Sequence, residues 1–416
     1  MAVGELNKQI VNETFNCAYS EEQFRKFILE LLPSADFTRE IKRIDPNTQG
    51  NQFADFIRSA KRICKYKYTY DEFGNEKVID VLVVKLKRTT SVERARTAQR
   101  NFVARYLNLG RNYQKDAALV AFISEDEQGN ISPDWRFSLV QMNYKAEIVE
   151  DEKGKKKRCI TTELTPAKRF SFLVGENEDT HTAQQQFGAC LEKSANGEKI
   201  TIEDLVAAFD IEKVSKEFFE KYKNLYLKMR DELKQLCEVD EIVRKDFIEH
   251  NINIDDFAKK TMGQLVFLYF IQKKGWLGVA EDKDWGSGDK KFLSNIFKGQ
   301  YCKYDNFFND ILEHLFYEAL AKDRADKKDL FKILNCRIPF LNGGLFEPVN
   351  GYEWTKTDLT IDNNIFKEIF ETFDLYNFTV KEDEPLEKEV AIDPEMLGKV
   401  FENLLPENIR KGNGAF

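Results

Sequence analysis

Apolar residues near the start of the chain recur at helical spacing. After Ser20 they fall at Phe24, Phe27, Ile28 and Leu31, in steps of three and four. Serine is a favoured helix N-cap because its hydroxyl accepts a hydrogen bond from a free backbone N–H group of the first turn. The segment therefore predicts an amphipathic helix that begins after Ser20.

The residues that follow have strand patterns. Two runs rich in β-branched and aromatic residues flank "FGNE", which predicts a β-hairpin. A helix is predicted over 92–107, and further strands in "DAALVAFISE", "DWRFSLVQMNYKAEIV" and "RCITTELTPAKRFSFLVG". The first half of the chain is thus predicted to be a mixed α/β domain, residues 1–190.

Helical spacing dominates from residue 177 onward. Seven apolar residues step by three and four over more than twenty positions: Val214, Phe218, Tyr222, Leu225, Met229, Leu233 and Leu236. "FAKKTMGQLVFLYFIQKKGW" and "DNFFNDILEHLFYEALAK" continue this pattern, and Asp393 with Pro394 predicts the start of a last helix. Residues 191–416 are predicted to be an all-α helical connector domain.

Length and composition agree with two domains. At 416 residues the chain exceeds the roughly 250–300 residues at which single cores stop growing. Its seven cysteines are scattered, without a CxxC pair, which favours free thiols and a cytoplasmic location. The longest apolar run, "LVFLYFI", is much shorter than the roughly 20 residues of a membrane span, so no membrane association is expected.

Charge is concentrated locally. The whole chain has a net charge of −8, but residues 77–111 contain nine basic and two acidic residues. The DNA-contact candidates in this stretch are Arg88, Arg94, Arg96, Arg100 and Arg105. Arginine binds phosphate in a bidentate manner, so this segment is a candidate for binding the backbone of double-stranded DNA. A solvated helix flank is the alternative.

Candidate catalytic residues lie in the same segment. Metal-dependent nucleases use carboxylates to hold Mg²⁺ and a lysine to stabilise developing charge, often on a hairpin preceded by a helix. Asp80, Lys85 and Lys87 lie on the predicted hairpin, and Glu30 of the preceding helix is a second candidate metal ligand beside Asp80. In a regular strand, however, Asp80 faces away from both lysines, so catalysis requires a bulge or a strand break between Asp80 and Lys85.

Two further residues of the predicted helix are candidates. Glu93 could replace the carboxylate that is missing two residues before Lys85, where Val83 stands, but Thr90 and Glu93 also match a capping box. Gln99 is a polar helix residue near the candidate site. For Asp80 itself, a hydrogen-bonded carboxylate within the sheet is the alternative interpretation.

Several longer motifs resemble one protein family. "SVERARTAQRNFVARYL", "DWRFSLVQMNY", "ELTPAKRFSFLVG", "FLNGGLFE" and "AIDPEMLGKVFENLL" are similar to the N-terminal part of single-chain type IIG restriction-modification enzymes. The resemblance implies a restriction-endonuclease-like domain and a helical connector, which precede an adenine-specific DNA methyltransferase and a target-recognition domain. It also implies bacterial defence against foreign DNA.

The resemblance has implications for cofactors and partners. In the family, the segment that resembles "GAF" continues into Tyr-Thr-Pro and the S-adenosylmethionine-binding region, whereas this sequence stops at Phe416. We therefore expect S-adenosylmethionine binding only in a longer protein, with this chain as a fragment or a split subunit. The two hypotheses are a Mg²⁺-dependent DNA endonuclease module and a non-catalytic DNA-binding scaffold for a methyltransferase domain or subunit.

Overall fold

A computed structural model describes most of the residues of the chain. They are 3–46, 53–70, 74–87, 96–108, 115–125, 129–142, 145–150, 156–161, 167–324, 329–341, 344–379 and 387–392. The chain forms two compact units. The first comprises residues 1–212 with 383–391, and the second comprises 213–382 with 392–416.

The first unit is built on a mixed sheet of seven strands. Six of its strands are β1 (Ile41–Ile44), β2 (Ile57–Thr69), β3 (Glu76–Leu86), β4 (Ala117–Ser124), β5 (Asp134–Gln141) and β8 (Lys168–Gly175). Between β5 and β8, the chain forms β6 (Lys145–Glu150) and β7 (Lys156–Thr161). The sheet order is β1-β2-β3-β4-β5-β8, followed by a last strand, Glu387–Glu389, from near the end of the chain. The antiparallel pair β6 and β7 makes a separate small sheet.

Within the described residues, five α-helices lie wholly in this unit. They are α1 (Val3–Phe15), α2 (Glu21–Leu31), α3 (Arg96–Asn108), α4 (His181–Ala195) and α5 (Ile202–Ala208). The predicted cap of α2 is confirmed, since the Ser20 hydroxyl accepts a hydrogen bond from the Gln23 backbone nitrogen. The predicted hairpin is confirmed as the antiparallel pair β2 and β3, and β3 runs parallel to β4.

The two faces of the sheet have different cores. On one face, Phe24 and Phe27 of α2 pack against Phe137 of β5 in a cluster of aromatic rings. On the other face, α3 packs its buried side chains on alternate residues of β3 and β4, such as Leu82 and Val120. Side chains alternate along strands, so each strand residue is committed to one of these two cores.

The first unit extends to residue 212, whereas the sequence prediction placed a domain boundary at residue 190. Two tyrosines of β2 explain why α5 belongs with the sheet. The hydroxyl oxygens of Tyr66 and Tyr68 accept hydrogen bonds from the backbone nitrogens of Ile200 and Ile202, each at 3.0 Å. These bonds satisfy backbone groups at the start of α5 that have no partner within the helix.

The second unit is mainly helical. Its helices are α6 (Ile211–Val239, which begins in the first unit), α7 (Glu241–Glu249), α8 (Ile254–Lys273), α9 (Phe292–Phe297) and α10 (Asn363–Phe373). The predicted apolar face of α6 is buried from Val214 to Leu233. A hairpin of two-residue strands, β9 (Leu330–Phe331) and β10 (Cys336–Arg337), is the described strand pairing in this unit.

The segment "DNFFNDILEHLFYEALAK" is wound as two π-helical stretches, Phe308–Leu312 and His314–Leu320, rather than as an α-helix. Buried side chains recur in pairs every four residues along it, for example Ile311 with Leu312 and Leu315 with Phe316. A four-residue repeat is longer than the α-helical period of 3.6, and the wider π-helix accommodates it. The prediction of a helix is confirmed, but its hydrogen-bonding pattern was not foreseen.

Other predictions concern features that the structure describes only in part. The last predicted helix, which starts at Asp393, lies outside the described residues. Six cysteines are free thiols, as expected: Cys17, Cys64, Cys190, Cys237, Cys302 and Cys336. None of the helices in the described ranges is both long enough and apolar enough to cross a bilayer.

Candidate functional site

Strand β3 is regular where the candidate residues lie. Its register with β4 runs without a break from Ile79 to Leu86. Asp80 therefore shares a face with Leu82, toward α3, whereas Lys85 shares the opposite face with Val83. The bulge that would bring Asp80 and Lys85 together is absent from this described strand, and the register shift opposite Leu82 lies in β2.

Asp80 lies in a cluster of buried donors. Its side chain is 0% exposed. Its Oδ2 atom is 3.1 Å from the Nη1 atom of Arg62, 2.7 Å from the hydroxyl oxygen of Tyr106 and 3.1 Å from the Nζ atom of Lys115. Two cations and one hydroxyl therefore converge on one carboxylate oxygen. We call Arg62, Asp80, Tyr106 and Lys115 the Asp80 cluster.

Burial and charge oppose each other in this cluster. Burial lowers the pKa of Lys115, and the nearby Asp80 carboxylate offsets only part of that effect. For Arg62, burial also disfavours the charged form, but Asp80 and Tyr106 outweigh it and raise the pKa. Burial, reinforced by the Asp80 charge, raises the pKa of Tyr106, which keeps its hydroxyl protonated as a donor. Lys115 also lies 3.5 Å from the centroid of the Tyr106 ring, a cation–π contact.

The two candidate lysines lie elsewhere. Lys85 forms an ion pair with Glu125, which also pairs with Arg58 at 3.0 Å. Lys87 follows the end of β3 and is exposed. Neither lysine is among the groups in contact with the Asp80 carboxylate. The lysine that contacts this carboxylate is Lys115.

The proposed metal ligands Asp80 and Glu30 are on opposite sides of the sheet. Glu30 is an exposed residue of α2, and α2 packs on the face that carries Phe137. Within the described ranges, no group of three or more His, Cys, Asp or Glu side chains is arranged to hold a metal ion. The Asp80 cluster offers one carboxylate beside two cations, a donor set that does not fit Mg²⁺. Among the described residues, no donor forms a hydrogen bond with the buried Oδ1 atom of Asp80.

Helix α3 turns most of its candidate residues toward the sheet. Gln99 is 0% exposed, and its Oε1 atom accepts a hydrogen bond of 2.8 Å from Arg169 of β8. Arg100 is 7% exposed, whereas Arg105 is an exposed residue. In this structure, Arg105 is the α3 arginine best placed to meet a phosphate in solution.

Arg96, in the first described turn of α3, has an internal partner. It pairs with Glu389 of the last sheet strand, which we label β11 (Glu387–Glu389). Glu389 also lies 3.3 Å from Arg136 of β5, whose guanidinium donates a hydrogen bond to the Ser171 hydroxyl. The strongly basic segment is therefore partly neutralised by a residue that is distant in sequence.

Three candidate residues lie outside the described part of the chain: Arg88, Glu93 and Arg94. The assignments of all candidate residues to catalysis, metal binding or DNA binding stay predictions.

Sequence reasoning missed Arg62, Tyr106, Lys115, Arg136 and Glu389. Tyr106 had a usable signal, because it is seven residues from Gln99 and therefore on the same helix face. An arginine within a strand, such as Arg62 or Arg136, is also a signal, since a charged residue is rarely buried without a partner. Their partners depend on the strand order, which the sequence does not show.

Comparisons of this chain with protein-family models, with characterised proteins and with solved structures give no match. The chain's own residues and motifs are therefore the basis for its function.

Proposed function

We propose that this chain is the nuclease-like and connector part of a restriction-modification protein, and that its α/β unit binds double-stranded DNA as a non-catalytic scaffold. The observation that carries the proposal is the burial of the Asp80 side chain among its partners. This carboxylate is buried, and one of its oxygens is surrounded by Arg62, Tyr106 and Lys115. A buried acid with such partners has a structural role, whereas a catalytic carboxylate must reach a phosphodiester.

The position of the lysines supports the same proposal. Catalysis at a scissile phosphate requires the carboxylate and the lysine to meet the same group. Lys85 lies on the other face of β3 and is paired with Glu125. The pair that the sequence suggested is thus separated by the sheet itself.

DNA binding is supported by charge. Residues 77–111 are strongly basic within an acidic chain, and Arg105 and Lys87 are exposed there. Exposed cations bind phosphates through counterion release, which requires no particular base sequence. A scaffold of this kind would leave sequence recognition and methyl transfer to a methyltransferase and target-recognition domain or subunit.

A salt titration tests DNA binding. We expect binding of a mixed-sequence duplex, followed by fluorescence anisotropy, to weaken steeply as salt rises. Arg105→Gln should lower the slope of log K against log salt by about 0.9, the contribution of one phosphate contact. Arg43→Gln is the matched control, because Arg43 is an exposed arginine of β1 outside the basic segment. Absence of binding at any salt concentration would overturn the proposal.

DNA cleavage is the second candidate function, and Lys115 is the observation that favours it. The Nζ atom of Lys115 lies 3.1 Å from Asp80, whereas the lysines at the end of β3 do not contact this carboxylate. A helix that precedes a hairpin, as α2 precedes the β2–β3 pair, is also an order that metal-dependent nucleases often have.

A cleavage assay separates the two functions. Plasmid DNA is incubated with the wild-type chain and either Mg²⁺ or Mn²⁺, beside Asp80→Asn and Lys115→Met. The scaffold proposal expects DNA binding without cleavage by any of the three proteins. Cleavage by the wild type that is lost in both variants, while circular dichroism shows both to be folded, would establish the second candidate instead.

A further inference from the structure

The pairing of β11 with the sheet places one acidic side chain on two arginines. β11 runs parallel to β8, with Glu389 opposite Ser171. The Glu389 side chain is 6% exposed and pairs with Arg96 of α3 and with Arg136 of β5. Two arginines from different elements therefore converge on one carboxylate.

Such a pair of guanidinium groups is a site for oxyanions in general. Carboxylates and phosphates present oxygens of similar geometry, and arginine forks bind both. Arg136 is further oriented by the hydrogen bond of 2.9 Å that it donates to the Ser171 hydroxyl. The Arg136 side chain is thus held by β8 as well as by its contact with β11.

β11 is attached to the sheet over three residue pairs. It has three residues and lies at the edge of the sheet that the described strands form. Its attachment includes a hydrogen bond of 2.8 Å from the Val390 nitrogen to the Ser171 oxygen and a longer one, 3.5 Å, from the Ser171 hydroxyl to the Lys388 oxygen. Buried ion pairs add little net stability, because desolvation offsets their attraction.

We propose that Arg96 and Arg136 form a binding site for a backbone phosphate of DNA, and that Glu389 occupies this site as a built-in competitor until β11 leaves the sheet edge. The inference rests on the proposed function, since it assumes that the unit binds DNA. An intramolecular carboxylate competes at high effective concentration. The apparent affinity for a phosphate is therefore the intrinsic affinity multiplied by the fraction of molecules in which β11 has left the arginines. When β11 is displaced, a DNA phosphate replaces the Glu389 carboxylate on the two arginines.

The first arm of the test is DNA affinity. Glu389→Gln removes the competing charge, and we expect affinity to rise on the order of tenfold, with the salt slope steeper by about 0.9. Glu198→Gln is the matched control, because Glu198 is an exposed acid of the same unit and its replacement changes the net charge equally. In the double variant Glu389→Gln, Arg136→Gln the gain in affinity should disappear.

The second arm uses the wild-type chain, so it does not depend on whether a variant folds. Hydrogen exchange of the peptide that contains residues 387–392 is measured with and without saturating duplex. We expect exchange of this peptide to become faster when DNA is bound.

The outcomes distinguish the two proposals. One outcome is that the wild type binds DNA, but β11 stays equally protected and Glu389→Gln binds no better than Glu198→Gln. This outcome would overturn the role of Glu389 as a competitor and would leave the scaffold proposal in place. If neither the wild type nor Glu389→Gln binds DNA, both proposals are overturned.

Discussion

The Nζ atom of Lys115 lies 3.1 Å from the Oδ2 atom of Asp80, although the two residues belong to different segments on either side of α3. Lys115 precedes β4, and β4 lies parallel to β3 with Ala118 opposite Asp80. The parallel pairing is what brings this lysine to the carboxylate. It gives Asp80 a structural role that is accessible to measurement.

Loss of the Asp80 charge should destabilise the first unit. Asp80→Asn leaves Arg62 and Lys115 buried without a counter-charge, which costs about 3–5 kcal/mol. Urea denaturation followed by circular dichroism measures the change. Glu76→Gln, on the same strand but in an exposed pair with Lys67, is the control and should cost about 0–1 kcal/mol.

Removal of one cation should restore part of that stability. The double variant Asp80→Asn, Lys115→Met no longer has the unpaired Lys115 charge. We therefore expect it to be more stable than Asp80→Asn alone. If the two changes are simply additive, the Asp80 cluster is not an interacting unit.

The aromatic core on the α2 face should depend on Phe137. Its ring lies within 6 Å of five others, those of Phe15, Phe24, Phe27, Phe187 and Phe209. Phe137→Ala should cost about 3–5 kcal/mol, because the surrounding rings cannot close the cavity completely. Leu29→Ala, at a 48% exposed position of α2, should change the free energy of unfolding by less than about 0.5 kcal/mol. Equal effects of the two substitutions would contradict this packing.

The stability of the second unit should depend on pH through Glu313. Burial, together with the nearby carboxylates Asp358, Asp246 and Asp310, raises the pKa of Glu313 from 4.5 to about 9, against the effect of the hydrogen bond from Tyr352. The folded state therefore keeps a proton that the unfolded state releases above pH 4.5. Stability should fall as pH rises between these two values, by about 1.4 kcal/mol for each pH unit, and level off above the folded pKa.

Glu313→Gln tests this origin of the pH dependence. Glutamine can still accept the hydrogen bond from Tyr352 but has no proton to lose, so the slope of unfolding free energy against pH should flatten. Glu368→Gln, in an exposed pair with Lys228, should keep the wild-type slope. Identical slopes in both variants and the wild type would remove Glu313 as the cause.

Gly275 should resist substitution. Its φ of +68° lies in the left-handed region, and an added Cβ atom would lie 2.3 Å from the backbone oxygen of Gly286. Gly275→Ala should therefore lower stability by about 2 kcal/mol or more. Gly188→Ala is the contrasting variant, because Gly188 lies inside α4 with open space around it, and alanine should add about 0.5–1 kcal/mol there. Thermal denaturation of both variants decides the comparison.

Much of the local structure could be predicted from the sequence. The cap at Ser20, the β2–β3 hairpin and the long helix α6 depend on neighbouring residues only, and the structure confirms each of them. The opposed faces of Asp80 and Lys85 also follow from the two-residue period of a strand, once that strand is regular. Little of the candidate site could be predicted, because its contacts join Arg62, Tyr106 and Lys115 from three separate segments.

By itself, the sequence determined which residues share a face and where most described helices and strands lie, since hydrophobic spacing and capping act over a few residues. The tertiary structure alone decided what those residues meet. The strand order brought Lys115 to Asp80 and placed Glu389 on Arg96 and Arg136. Pairing between distant strands depends on the packing of the whole sheet, so no local pattern encodes it.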